Sequence, residues 1–93
     1  MALPFEWDPE KATENRRKHG VTFTEASTVF GDPLSITIPD PGHSRRESRF
    51  LDLALSQRGR LLVVSYTERR DRIRIISSRP ATRRERRLYE EGQ

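Results

Sequence analysis

The chain has 93 residues, 32% of them apolar and 34% charged, with a mean hydropathy of -0.86. A length of this order admits one domain, 1–93, with a thin core, and it excludes a second independent one; so polar a composition makes a stabilising partner a natural expectation. The lack of cysteine excludes a disulfide scaffold and thiolate metal sites, and the net charge of +4 hides an asymmetry, with residues 1–43 at -3 and residues 44–93 at +7.

All of the base in the second half is arginine. Arginine offers a planar fork of donors that grips phosphate bidentately, so the charge points to an anionic partner, nucleic acid first. The opening MALPFEWD lacks a basic segment followed by an apolar one, and no run of ~18 apolar residues occurs, so the cytoplasm is the expected compartment.

Phe5-Glu6-Trp7 reads as a short strand. Asp8-Pro9-Glu10 then opens a helix, with Asp8 as N-cap and Pro9 at the first position, where its missing N–H costs nothing. This helix runs to His19 and stops at Gly20, which suits a left-handed cap. Thr22 and Glu25 have capping-box spacing and start a second, short helix through Phe30, ended by Gly31-Asp32-Pro33. Residues 34–40 alternate as a strand with Leu34, Ile36 and Ile38 on one face, and 40–44 form a turn. Three more strands follow, at 46–55, 60–67 and 72–78, with links short enough for an antiparallel meander. Pro80 closes the last strand, and a second capping box, Thr82 with Glu85, starts a C-terminal helix to Glu91. The expected class is α+β: two N-terminal helices, an antiparallel sheet of about four strands, and a final helix.

Alternation sets Glu47, Arg49, Leu51, Leu53 and Leu55 on one face, so charge continues an apolar stripe. A carboxylate beside a guanidinium there can serve as base and oxyanion stabiliser. In the last strand, alternation groups Ile73, Ile75, Ser77 and Arg79 against Arg72, Arg74, Ile76 and Ser78, and an arginine stripe of this kind can track a phosphate backbone. Tyr66 is the nearby aromatic, able to stack a base or to pack within the sheet. Lys18 and His19 suit the negative end of their helix, and His19 is also able to move a proton near neutral pH. His43 reads as an exposed turn residue. No metal-binding motif, phosphate-cradling glycine loop or nucleotide fingerprint occurs, so no metal and no cofactor is expected.

The ordered set FEWDPEKATENRRKHGVTF, DP, RESRF and RIRIISSRPATRRERRLYEEG resembles the BrnT family of type II toxins over nearly the whole chain. The motifs carrying it are F-x-W-D-x-x-K, N-x-x-K-H-G-[VI]-x-F, E-x-R-F and, from Arg74 to Tyr89, R-I-I-S-x-R-x-A-x-x-x-E-R-x-x-Y. The resemblance implies a RelE-like ribonuclease fold and an mRNA-cleaving toxin that blocks translation, possibly at the ribosome. It further implies a BrnA-type ribbon-helix-helix antitoxin, which binds operator DNA so that the complex represses its own operon. In fold relatives the ribose 2′-hydroxyl attacks the adjacent phosphate without a metal. The motif residues here are Lys18, His19, Glu47, Arg49, Arg74, Ser77, Arg79, Glu85 and Tyr89. On this basis Glu47 or His19 is the general base, Arg49 and Arg79 hold the non-bridging oxygens, and Lys18 and Arg74 hold flanking phosphates; Arg72, Ser77 and Tyr66 complete the substrate surface, while Glu85 caps its helix.

A simple meander sets Glu47 and Arg49 near Thr67 and Arg72 but Arg79 toward Arg60, a separation approaching ~20 Å at ~3.3 Å per residue. Both ends then cannot reach one phosphate unless the last strand bends or shifts register. Two rival readings remain: a non-catalytic module that binds RNA or an antitoxin within a repressor complex, and a structural protein whose arginines form surface salt bridges.

Overall fold

The computed structural model describes residues 4–39 and 49–92. In chain order the elements are β1 (Phe5–Glu6), α1 (Pro9–His19), α2 (Phe23–Ser27) continuing as a 3-10 turn (Thr28–Gly31), β2 (Ile36–Pro39), β3 (Arg49–Leu55), β4 (Leu61–Arg69), β5 (Arg72–Pro80) and α3 (Arg83–Glu91). The expected turn at 40–44, with His43, and the strand start at 46–48, with Glu47, lie outside the described residues.

The sheet has five strands in the order β1-β5-β4-β3-β2, one more than expected. It is also mixed, because β1 pairs parallel with β5 (Phe5 with Ile73, Glu6 with Arg74) while the other pairs are antiparallel. Two residues are enough for β1 because α1 turns the chain away at Asp8, whose side chain accepts from the Glu10 N–H at 2.9 Å. Gly20 ends α1 at φ +68, the left-handed region where a side chain is strained.

Beyond the reach of β1, the outer edge of β5 is satisfied by Asn15. Its amide donates to the Ser78 carbonyl at 2.8 Å and accepts from the Ser78 N–H at 3.0 Å, standing in for a strand. The same amide donates to the Val21 carbonyl at 3.0 Å, so one buried side chain ties α1 to both its successor loop and the sheet.

Helices cover both faces. On one, α1, α2 and the 3-10 turn pack Val21, Phe23, Ala26 and Val29 against Ala54, Leu62, Val64, Tyr66, Ile73 and Ile75. On the other, Tyr89 of α3 packs with Leu53, Leu61 and Val63. Helix α3 has few apolar residues, so polar ties hold it: the Thr82–Glu85 capping box, a two-pronged Arg79–Glu85 pair at 2.8 Å on each prong, and a Tyr89 hydroxyl donating to Asp32 at 2.6 Å.

Two local expectations need correction. Leu34 is not in β2; its N–H bonds the Asp32 side chain at 2.9 Å in a turn, which leaves Leu34 exposed. Strict alternation along β5 also fails, because the ladder slips between Ser65 and Tyr66 of β4: Tyr66 faces Ile75 and Ser65 faces Ser77, so Ile76 is an extra residue. Downstream of this bulge the faces exchange. Ser78 turns inward with Ile73 and Ile75, and Arg79 joins Ser77, Arg74 and Arg72 on the α3 face.

Candidate functional site

Residues directly opposite in a ladder share a sheet face. Arg49 faces Thr67, Thr67 faces Arg74, and Arg74 faces Glu6, so a row Arg49–Thr67–Arg74–Glu6 crosses four strands on the α3 side. Arg72 extends the row's basic end, since Glu6 pairs with Arg74 at 2.9 Å and Arg72 at 3.6 Å. Arg49 has no ion pair or hydrogen bond among the described residues. Three guanidinium groups thus share one carboxylate, and the row carries a local excess of positive charge suited to an anion.

Arg79 lies on the same face but level with Val63, four residues along β4 from Thr67. With ~3.3 Å per residue and ~4.8 Å between strands, the Arg79 and Arg49 Cα atoms are roughly 16 Å apart. The Arg79 guanidinium is taken up by Glu85, whose carboxyl it pulls down to about 2. The bulge brings Arg79 to the right face without bringing it to the row.

Lys18 and His19 stand elsewhere. Both are exposed at the end of α1, which packs on the opposite face, and the Gly20 carbonyl beside them accepts from Arg60 at 3.0 Å. Arg60 in turn grips the buried Glu25, which also accepts from Ser56 at 2.8 Å, and that hydrogen-bonded guanidinium holds the Glu25 carboxyl below its ordinary value. Lys18 pairs with Glu14 at 3.2 Å across the helix surface, a contact of small energetic weight.

Tyr66 is a core residue, 7% exposed, with Phe30 edge-on at 4.9 Å and Phe50 stacked at 5.6 Å. Burial pushes its phenol well above the ordinary value, and its hydroxyl donates to Asp52 at 3.3 Å. It faces α2, away from the arginine row. Ser77 is exposed on the row's face, opposite Ser65.

The site therefore joins Arg49, Arg72, Arg74 and Ser77 from the sequence-based set and leaves His19, Lys18, Tyr66 and Arg79 apart. Sequence reasoning passed over Glu6 and Thr67. For Glu6, the signal was the strand reading of Phe5-Glu6-Trp7, which puts a carboxylate on a sheet of arginines. Among the described residues no three His, Asp or Glu side chains converge as metal ligands. Beside the row, Ile36, Ile38, Leu51, Leu53, Val63 and Leu88 line an apolar groove between α3 and the sheet, with Ile38 and Leu88 exposed.

Together these features describe a small α+β protein with helices on both sheet faces and an anion-suited guanidinium row on one of them. The family model for the ribonuclease toxin BrnT of type II toxin-antitoxin systems matches residues 7–85, and the chain belongs to that family. The structure is similar to the crystal structure of the Brucella abortus ribonuclease toxin BrnT, with a TM-score of 0.69 and 18% identity, covering 87% of this chain and 99% of that one; at such identity the likeness is one of fold. A comparison with curated proteins gives no match. No helix among the described residues is long and apolar enough to cross a membrane.

Proposed function

We propose that this ribonuclease toxin cleaves mRNA at the arginine row by metal-independent attack of the ribose 2′-hydroxyl. The observation that carries the reading is Arg49, a guanidinium with no carboxylate among the described residues, in line with Arg74 across Thr67. Arg49 and Arg74 hold the non-bridging oxygens and stabilise the extra charge of the pentacoordinate transition state, while Arg72 and Ser77 meet the flanking backbone. Glu47, two residues before Arg49, is the proposed base, in preference to His19 on the far face. It takes the 2′ proton as the 2′ oxygen bonds phosphorus; the P–O5′ bond breaks and the departing oxygen takes a proton from water. The products are a 2′,3′-cyclic phosphate and a 5′-hydroxyl.

A BrnA-type ribbon-helix-helix antitoxin is the proposed partner, forming a complex that represses its own operon. The apolar groove, bordered by Arg49 and the arginines of α3, suits a segment of that antitoxin with alternating apolar and acidic side chains.

The test is to induce the chain alone in bacteria, in the cytoplasm where the reading places it, and to map mRNA 5′ ends beside Glu47→Ala, Arg49→Ala, Arg79→Ala and His19→Ala. New 5′-hydroxyl ends that vanish with Glu47→Ala and Arg49→Ala and persist with His19→Ala support the reading. No new ends from folded protein would leave a binding module acting only within the repressor complex.

A further inference from the structure

We propose that the Thr67 hydroxyl is a substrate contact, a third donor that completes a phosphate pocket with Arg49 and Arg74. The inference rests on the reading of the row as the phosphate site and adds to it a neutral group that composition and charge do not reveal.

Thr67 is 0% exposed, and its Oγ1 has no hydrogen-bond partner. A buried hydroxyl left unsatisfied costs about 1–3 kcal/mol, and valine would fill the same space in a strand without that cost. The molecule otherwise satisfies its buried hydroxyls: Ser56 donates to Glu25, Thr28 to the Glu25 carbonyl, Thr37 and Tyr66 to Asp52.

One other orphan exists among the described residues, the Ser78 hydroxyl, and the contrast is informative. Ser78 faces α1 on the apolar side, beside the Asn15 amide that holds its backbone. Thr67 instead stands between two arginines in direct register, at the centre of the excess positive charge. An orphan hydroxyl flanked by two guanidinium groups is a donor lacking an anion.

Access follows from the unequal tethering of the two arginines. Arg74 is held by Glu6 at 2.9 Å, whereas Arg49 has no such tie among the described residues and is able to swing aside. A phosphate entering from the Arg49 side meets that guanidinium first, then the hydroxyl, then Arg74. Thr67 donates to one non-bridging oxygen while each guanidinium offers its fork, which fixes the phosphate in the plane of the row.

The experiment uses the full chain and one probe, a single-stranded 2′-deoxy oligonucleotide that binds without cleavage. Its Kd and the protein's Tm are measured for wild type, Thr67→Val, Thr67→Ser, Thr67→Ala and Arg49→Ala. We expect Thr67→Val to keep or raise the Tm while weakening the probe about tenfold, with Thr67→Ser restoring most of the affinity. A purely structural threonine would not move binding and stability in opposite directions. If Thr67→Val fails to fold, the Thr67→Ser and Thr67→Ala pair makes the same comparison of hydroxyl present against absent. Wild-type affinity in the hydroxyl-free variants, with Arg49→Ala weakened, overturns the Thr67 contact and leaves the row standing. Unchanged affinity in Arg49→Ala overturns the row and Thr67 with it.

Discussion

The two ends of this sheet treat arginine in opposite ways. Around Arg60 and Arg79 each guanidinium is matched to a carboxylate: Arg60 and Arg58 to the buried Glu25, Arg79 to Glu85. Around Arg49 three guanidinium groups share Glu6 alone among the described residues. The first end uses charge to attach helices to the sheet; the second holds an excess that a ligand can answer. What separates a structural arginine from a binding one here is whether the fold supplies its anion, a property of register that a count of charges does not contain.

That contrast can be broken most directly with Arg49→Ala, which should lower mRNA cleavage about 100- to 1000-fold, the scale of losing one donor to a developing oxyanion, while leaving Tm nearly unchanged. Cleavage assays beside a thermal melt check both halves. Arg60→Ala should do the reverse. It leaves the buried Glu25 carboxylate without its main partner and should cost about 2–3 kcal/mol in denaturant unfolding, below the full buried-pair value because Arg60 is partly exposed, with the activity per folded molecule kept.

A smaller effect is expected from pH. Glu85 is held at about 2, against an ordinary 4.5, chiefly by its hydrogen bonds from Arg79. A carboxyl with a lowered folded value stabilises above its unfolded value, so this contribution is present above about 4.5 and is lost as pH falls toward 2. Glu25 and Asp32 are also lowered and act in the same direction, so the diagnostic is a difference: the fall of Tm with acid should be shallower in Glu85→Gln than in wild type. Smallest of all, Glu6→Gln removes the carboxylate at the binding end and should tighten a single-stranded oligonucleotide by about two- to fivefold, with a steeper dependence on salt. A weaker or unchanged affinity would mean that Glu6 orients Arg74 more than it competes with the ligand.

Much of the scaffold was legible because its signals are local. Asp8-Pro9, Gly20, Thr22 with Glu25, and Thr82 with Glu85 mark helix ends through contacts within a few residues, and each cap is present. The order of the three long strands follows from short links in the same way. What escaped depends on partners distant in sequence. The parallel pairing of β1 with β5 joins residues 5–6 to 73–74, and the Asn15 bridge spans 63 positions. Of the site, the placement of Arg49 with Leu51 and Leu53 was readable by alternation, but its alignment with Arg74 and Thr67 required the register. Tyr66 was read as a surface aromatic with packing as the alternative, and packing against Phe30 and Phe50 is what the structure shows. The motif from Arg74 to Tyr89 has a mainly architectural meaning at its far end, since Arg79, Thr82, Glu85 and Tyr89 all serve to attach α3.

The extra residue in β5 has a consequence for how this gene can change in length. Upstream of Ile76 the strand presents Ile73 and Ile75 to α1 and α2; downstream it presents Ser78 to the same side, and only the inserted position reconciles the two. Deleting one codon there would invert every later side chain, turning Arg79 toward the apolar layer and taking the Ser78 backbone from Asn15. Substitutions along β5 are therefore individual events, whereas a single-codon deletion at the bulge is a change to the whole carboxyl-terminal third of the sheet and its helix. Lineages of this protein should accumulate length variation in their turns and none at this point in the strand.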